Sequence, residues 1–134
     1  MAVHTGPVDW KRASASLATD GFATLTVLDA ATCRSLAALY GDETRFRSRV
    51  VMQRHNFGRG EYKYLAYPLP EPVAELRAAL YPPLAVIANE WRAMLCEEGR
   101  FPATLEAFLS KCHAAGQAKP TPLLLYYGKN SFSA

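Results

Sequence analysis

Residues Leu123 to Tyr127 read LLLYY between Pro122 and Gly128. A continuous apolar run bounded by strand breakers predicts a strand buried on both faces. Such a strand needs a neighbour on each side, and this constrains the fold more than any other feature. Candidate neighbours are few. Phe22 to Leu28 (FATLTVL) is β-branched and apolar and reads as a strand. Arg45 to Met52 (RFRSRVVM) fits a strand with a cationic face at Arg45, Arg47 and Arg49. Glu61 to Tyr67 alternates Tyr62, Tyr64 and Ala66 against Glu61, Lys63, Leu65 and Tyr67, a strand with aromatic residues on both faces. Pro68 and Pro70 stop it. Only seven residues follow Tyr127, so we expect sheet-forming sequence beyond Ala134.

The apolar residues elsewhere recur at helical spacing. Asp9 can cap a helix carrying Trp10, Ala13 and Leu17, ended by Asp20-Gly21. Asp29 caps a second, with Cys33, Leu36, Ala37 and Tyr40 at i, i+3, i+4, i+7, closed by Gly41 in a left-handed conformation. Pro72 starts a third, with Val73, Leu76 and Leu80 inward. Pro82-Pro83 is expected to break or kink it. A new helix then carries Leu84, Ile87, Ala88, Trp91, Met94 and Leu95 on one face and ends at Gly99. Thr104 caps a last helix with the stripe Leu105, Phe108, Leu109 and Cys112, stopped by Gly116. The fold class is α+β, helix-rich, with strands dispersed among helices.

Composition bounds the function classes. At 134 residues, 50% hydrophobic and 20% charged, the chain is globular, and residues 1–134 form one domain or part of one. No apolar run approaches the roughly 20 residues of a spanning helix, so no membrane partner is expected. Met1 to Trp10 lacks the apolar region of a signal peptide. The net charge of +3 neither demands nor excludes an anionic partner. Cys33, Cys96 and Cys112 have no metal or redox spacing. All three fall on apolar helix faces, so they read as buried reduced thiols, which with the missing targeting segment points to the cytoplasm.

The densest cluster of functional side chains is Arg45 to Tyr67. It sets Arg45, Arg47, Arg49, Arg54, Arg59 and Lys63 against one acid, Glu61, with Phe46, His55, Phe57, Tyr62, Tyr64 and Tyr67 interleaved. Cations attract phosphates and rings offer stacking surfaces, a mixture suited to nucleic acid. The competing reading is a half-buried sheet with exposed arginines and core tyrosines. His4 lies near the N-terminus and His113 near a helix C-terminus, where positive charge is favoured. Only His55 stands among other functional types. The sequence holds no His-x-Asp, His-Glu-x-x-His or Cys-x-x-Cys, so no metal site is visible. Gly58-Arg59-Gly60 lacks a phosphate-loop frame, and no serine sits in a nucleophile elbow. The residues alone support no catalytic assignment.

The segment RFRSRVVMQRHNFGRGEYKYLAYPLP, Arg45 to Pro70, resembles a bacterial group of 2-oxoglutarate/Fe(II)-dependent oxygenases described as acting on damaged nucleic acid. The resemblance continues through ALYPPLAVIANEW and FPATLEAFLSKCHAAGQAKPTPLLLYYG and begins weakly at DGFATLTVLDAATCRSLAALY. It implies the N-terminal, helix-rich portion of a double-stranded β-helix (a jelly-roll or cupin-like barrel), incomplete in this chain. In such oxygenases the strand resembling LLLYYG leads into a His-x-Asp pair, and a later His completes a facial triad on Fe(II). Asn130 to Ala134 match the stretch just before that pair. The resemblance therefore implies that the iron ligands, and the basic residue holding 2-oxoglutarate, are absent here. The chain is then expected to bind neither Fe(II) nor 2-oxoglutarate and to be inactive by itself. Tyr127 matches an aromatic hydroxyl that contacts 2-oxoglutarate in AlkB-like relatives. The Asn that accompanies it there is replaced by Leu125. Arg54, His55, Phe57, Arg59, Tyr62 and Tyr64 match the arginine- and tyrosine-rich substrate lid, with rings to stack a base and guanidiniums for phosphate.

For the complete protein the resemblance implies oxidative hydroxylation or demethylation of damaged nucleic acid, with Fe(II) and 2-oxoglutarate supplying the chemistry. Two other readings stay open: a non-catalytic nucleic-acid-binding module that kept the basic and aromatic face, and a structural α+β domain.

Overall fold

A computed structural model describes residues 7–134, so His4 lies outside the described residues. In chain order the elements are α1 (Trp10–Asp20), α2 (Ala30–Ala38), β1 (Phe46–Val51), β2 (Gly58–Arg59), β3 (Glu61–Leu65), α3 (Glu71–Met94), α4 (Leu105–Ala114), β4 (Leu123–Tyr126) and β5 (Phe132–Ser133). The architecture is mixed α+β with small antiparallel sheets. Among the described residues no helix is long and apolar enough to cross a membrane. The chain divides into two compact units: Met1–Asp29 with Ala74–Ala118, and Ala30–Val73 with Lys119–Ala134.

In the first unit the expected caps form. The Asp9 carboxylate accepts the Arg12 N–H at 3.0 Å, and Gly21, at φ 78°, ends α1. The Thr104 hydroxyl accepts the Ala107 N–H and starts α4. Ala13, Ala85 and Ile87 are buried. The Tyr81 ring stacks on Phe108, and its hydroxyl donates to the Pro102 carbonyl. The break expected at Pro82-Pro83 does not occur: α3 runs through both prolines. Each proline removes one helical N–H, but its φ is that of a helix. The carbonyls left without donors belong to Ala78 and Ala79, which are exposed and reachable by water.

Four other expectations fail. Phe22 to Leu28 forms no strand; it pairs with nothing among the described residues, and extended propensity alone makes no ladder. Trp91, Met94 and Leu95 are exposed, lining with Leu17 and Ala18 an open groove of about 410 Å³. The cysteines are not buried: Cys33 and Cys96 are exposed and Cys112 is half-buried. α2 buries none of its residues, and Cys96 lies past α3 at φ 54°, off the helix face. Gly41 closes a 3-10 turn after α2 without positive φ.

The second unit holds the sheet, ordered β1-β3-β4 with both pairings antiparallel. The centre is β3, not β4. β3 buries Leu65 and Lys63, whereas Leu125 on β4 is 56% exposed and Tyr126 nearly as much. The apolar run Leu123 to Tyr127 is thus an edge strand, and the expected burial on both faces is wrong. Flanked on both sides, β3 gains the cover that the apolarity of β4 seemed to demand. Alternation places Tyr62 and Tyr64 on one face and Glu61 and Lys63 on the other. A separate ribbon pairs β2 with β5, Gly58 opposite Ser133 and Arg59 opposite Phe132.

Candidate nucleic-acid interface

Between β1 and β3 the chain makes a tied-down excursion rather than a plain loop. Met52 to His55 form a 3-10 turn, Asn56 adopts φ 58°, and the chain returns through β2. The Met52 N–H donates to the Gly60 carbonyl at 3.0 Å and the Phe57 N–H to the Met52 carbonyl at 3.1 Å. The Ala134 N–H donates to the Phe57 carbonyl at 2.9 Å. Met52 is the buried foot of this excursion. On its outside stand Arg54, His55, Phe57 and Arg59, all exposed. The His55 and Phe57 rings stack at 5.4 Å, 22° from parallel.

The cations of the Arg45 to Tyr67 cluster divide sharply by environment. Arg45 sits 3.7 Å from Asp42. Arg47 donates Nε–H to the Pro120 carbonyl and lies 4.4 Å over the Tyr64 ring. Arg49 makes two 2.7 Å hydrogen bonds to Glu61, a bidentate pair. Lys63 is 5% exposed. Its Nζ donates to Glu43 at 2.6 Å and to the Tyr40 carbonyl at 2.8 Å, and lies 4.3 Å over the Tyr40 ring. Arg54 and Arg59 alone make no ion pair or hydrogen bond through their side chains among the described residues. They are the cations left to meet an anion.

The face of β3 bearing Glu61 is a closed electrostatic network. Arg49 and the Tyr40 hydroxyl, donating at 2.8 Å, hold the Glu61 carboxyl down at about 2, against the opposing effect of burial. Burial first, and then Glu61 beside it, pushes the Tyr40 phenol well above its usual range. The network fixes the sheet but offers no base at neutral pH. Tyr40 also stacks on Tyr126 at 5.3 Å. An apolar cavity of about 320 Å³ lies there, lined by Leu36, Ala37, Tyr40, Leu124 and Tyr126 among others, and none of the sequence-predicted site residues lines it.

On the other face of β3, Tyr62 and Tyr64 meet edge to face at 5.6 Å and are half-buried. They form a supported pair distinct from the His55–Phe57 stack. Tyr127 is exposed, its ring edge so near Gly60 that a Cβ there would come within 3.1 Å. Among the described residues no group of three His, Cys, Asp or Glu side chains could hold a metal ion. The sequence reading missed Phe132, an exposed ring that β5 sets opposite Arg59. Its signal was the two-residue pairing with Gly58-Arg59, too short for any alternation pattern.

No solved structure matches the chain. Two uncharacterized proteins, from two strains of Mycobacterium tuberculosis, are each 45% identical to it over 67 residues, covering 50% of this chain and 29% of each relative. The chain thus spans less than a third of the length of these curated relatives. Residues 60–134 match a family of oxygenases described as catalysing oxidative methylation of damaged DNA. That stretch contains Tyr62, Tyr64, Tyr127 and Phe132 and starts just after Arg59. Covering more than half of the chain, the match means that this protein belongs to the Oxygenase-NA family.

Proposed function

We propose that the whole protein is a 2-oxoglutarate- and Fe(II)-dependent dioxygenase that oxidises damaged nucleic acid on a double-stranded β-helix. The described residues contribute its substrate-facing surface. The observation that carries this reading is the division of the cations: Arg54 and Arg59 are exposed and uncommitted beside the stacked rings of His55 and Phe57. Guanidiniums without carboxylate partners favour phosphate, and exposed rings favour bases. Tyr62 and Tyr64, the latter under the Arg47 guanidinium, offer a second, half-buried aromatic pair. Membership of a family described as acting on damaged DNA supports the substrate class.

The described residues do not fit an iron centre, since no three ligand-type side chains among them converge. No step of the oxidation is therefore assigned to them. In this proposal the chain by itself binds nucleic acid and releases no succinate from 2-oxoglutarate. Tyr127, with its exposed ring against Gly60, is the residue we assign to 2-oxoglutarate contact in the whole protein. Free thiols at Cys33, Cys96 and Cys112 fit a reducing, cytoplasmic setting.

Anisotropy titration of a labelled DNA oligonucleotide at several salt concentrations tests the reading. The Arg54→Gln/Arg59→Gln variant is expected to bind more weakly and to lose about 1.4 from the salt slope on single strands. Arg49→Gln, whose guanidinium is taken by Glu61, is expected to leave that slope unchanged. An unaltered slope in the double variant would sink the proposal.

A further inference from the structure

β5 sets Phe132 directly opposite Arg59. Opposed residues of an antiparallel pair stand on the same face, so a ring and a guanidinium from distant parts of the chain sit side by side. Phe132 is 57% exposed and Phe57 is 49% exposed. The backbone beneath them is in close approach: a Cβ on Gly58 would lie 2.2 Å from the Phe132 carbonyl oxygen. The Phe57 carbonyl takes the Ala134 N–H. The side chains thus project from a fixed ribbon, which lowers the ordering cost of any contact they make.

We propose that Phe132, Arg59 and Phe57 form a stacking platform for unpaired nucleobases, with the guanidinium taking a neighbouring phosphate. The platform thereby selects single-stranded or locally opened DNA over duplex. This deepens, and rests on, the reading of the chain as the nucleic-acid-facing part of a DNA oxygenase. The face of a base is open to a ring only when the base is unpaired or unstacked, and such stacking tolerates any sequence. Duplex readout in a groove uses side-chain amides and guanidiniums aimed at base edges. This ribbon offers two rings and one guanidinium, and the side-chain amides of Gln53, Asn56 and Asn130 lie in the turns outside its paired residues. The uncommitted charge of Arg54 and Arg59 selects a polyanion over an apolar protein partner for the exposed rings.

The test is fluorescence anisotropy of this chain with a labelled oligothymidylate of about 12 nucleotides, and with the duplex it forms with its complement. The single strand is expected to bind about tenfold more tightly than the duplex. Phe132→Leu keeps an apolar side chain on the ribbon and is expected to lose about tenfold in single-strand affinity at unchanged salt slope. Phe132→Trp is expected to restore binding. Arg59→Gln is expected to lower the slope by about 0.7. Retained slow exchange of the Ala134 amide reports that the leucine variant keeps its ribbon. Single-strand binding by wild type that Phe132→Leu leaves intact overturns the platform while the proposed function stands. Equal affinity for duplex overturns the selectivity. Absence of DNA binding by wild type overturns both.

Discussion

Replacing Gly58 by alanine tests how the site is held. The residue sits at φ 112°, where an L side chain is strained, and its new Cβ would lie 2.2 Å from the Phe132 carbonyl oxygen and 2.8 Å from the Ala134 nitrogen. Restoring an ordinary C···O separation needs a retreat of about 1 Å by β5. That movement stretches the 2.9 Å bond from the Ala134 N–H to the Phe57 carbonyl and the β2–β5 pairing beside it. Backbone strain of about 1–3 kcal/mol and hydrogen bonds of about 1 kcal/mol each put the local cost at about 2–4 kcal/mol. Among the described residues β5 pairs only with β2, so the loss falls on the ribbon and leaves β1-β3-β4 intact. Amide hydrogen exchange of Ala134 is expected to accelerate about 30- to 1,000-fold, while the Lys63 amide in β3 keeps its rate. Oligothymidylate affinity is expected to fall with it. If Ala134 exchanges in the folded variant as in wild type, the close approach does not hold the ribbon and the reasoning fails.

Glu61 links stability to pH. Its carboxyl is held at about 2 in the folded chain, below its ordinary 4.5. Its contribution is therefore complete above 4.5 and disappears as pH falls through 2. The depression has a ceiling of about 3 kcal/mol, which exposure of the Arg49 partner reduces to about 1 kcal/mol. Urea midpoints of wild type and Glu61→Gln should converge on acidification; a constant gap refutes the assignment. Glu43 is itself exposed, yet it compensates the buried Lys63 ammonium. Glu43→Gln is expected to cost about 1–3 kcal/mol, well above an ordinary surface change, because it strands that charge. Lys63→Met removes the charge with its partner's task, so adding Glu43→Gln to it should change the denaturation midpoint little; additive losses would refute the coupling.

Much of the helical part was legible because capping is local chemistry. Asp9 and Thr104 each bond an N–H three residues on, and three residues of sequence suffice to see it. The rank of the strands was not legible. Leu123 to Tyr127 is more apolar than Glu61 to Leu65, yet pairing, not hydrophobicity, decides which strand is central. A buried lysine in β3 disguised the centre, since its charge is compensated by Glu43 and the Tyr40 carbonyl, distant in sequence. The site was legible as a cluster of residue types. Which cations were free depended on partners such as Pro120, far along the chain. Phe132 was hidden for the same reason: its neighbour Arg59 becomes a neighbour only through β5.

The order in which the sheet strands occur has a consequence for synthesis. β1 and β3 are made early and close together, but the other flank of β3 is taken by Leu123 to Tyr126, after the whole of Ala74–Ala118 has been made. On the ribosome β3 therefore waits, one edge unpaired, while the other unit's sequence emerges. Non-local pairing of this kind is slow, and a waiting edge is open to wrong partners. The charges of Lys63 and Glu61, set along that waiting strand, then act as a guard: they make its interim exposure soluble before Lys63 is buried and Glu61 is half-buried in the finished sheet.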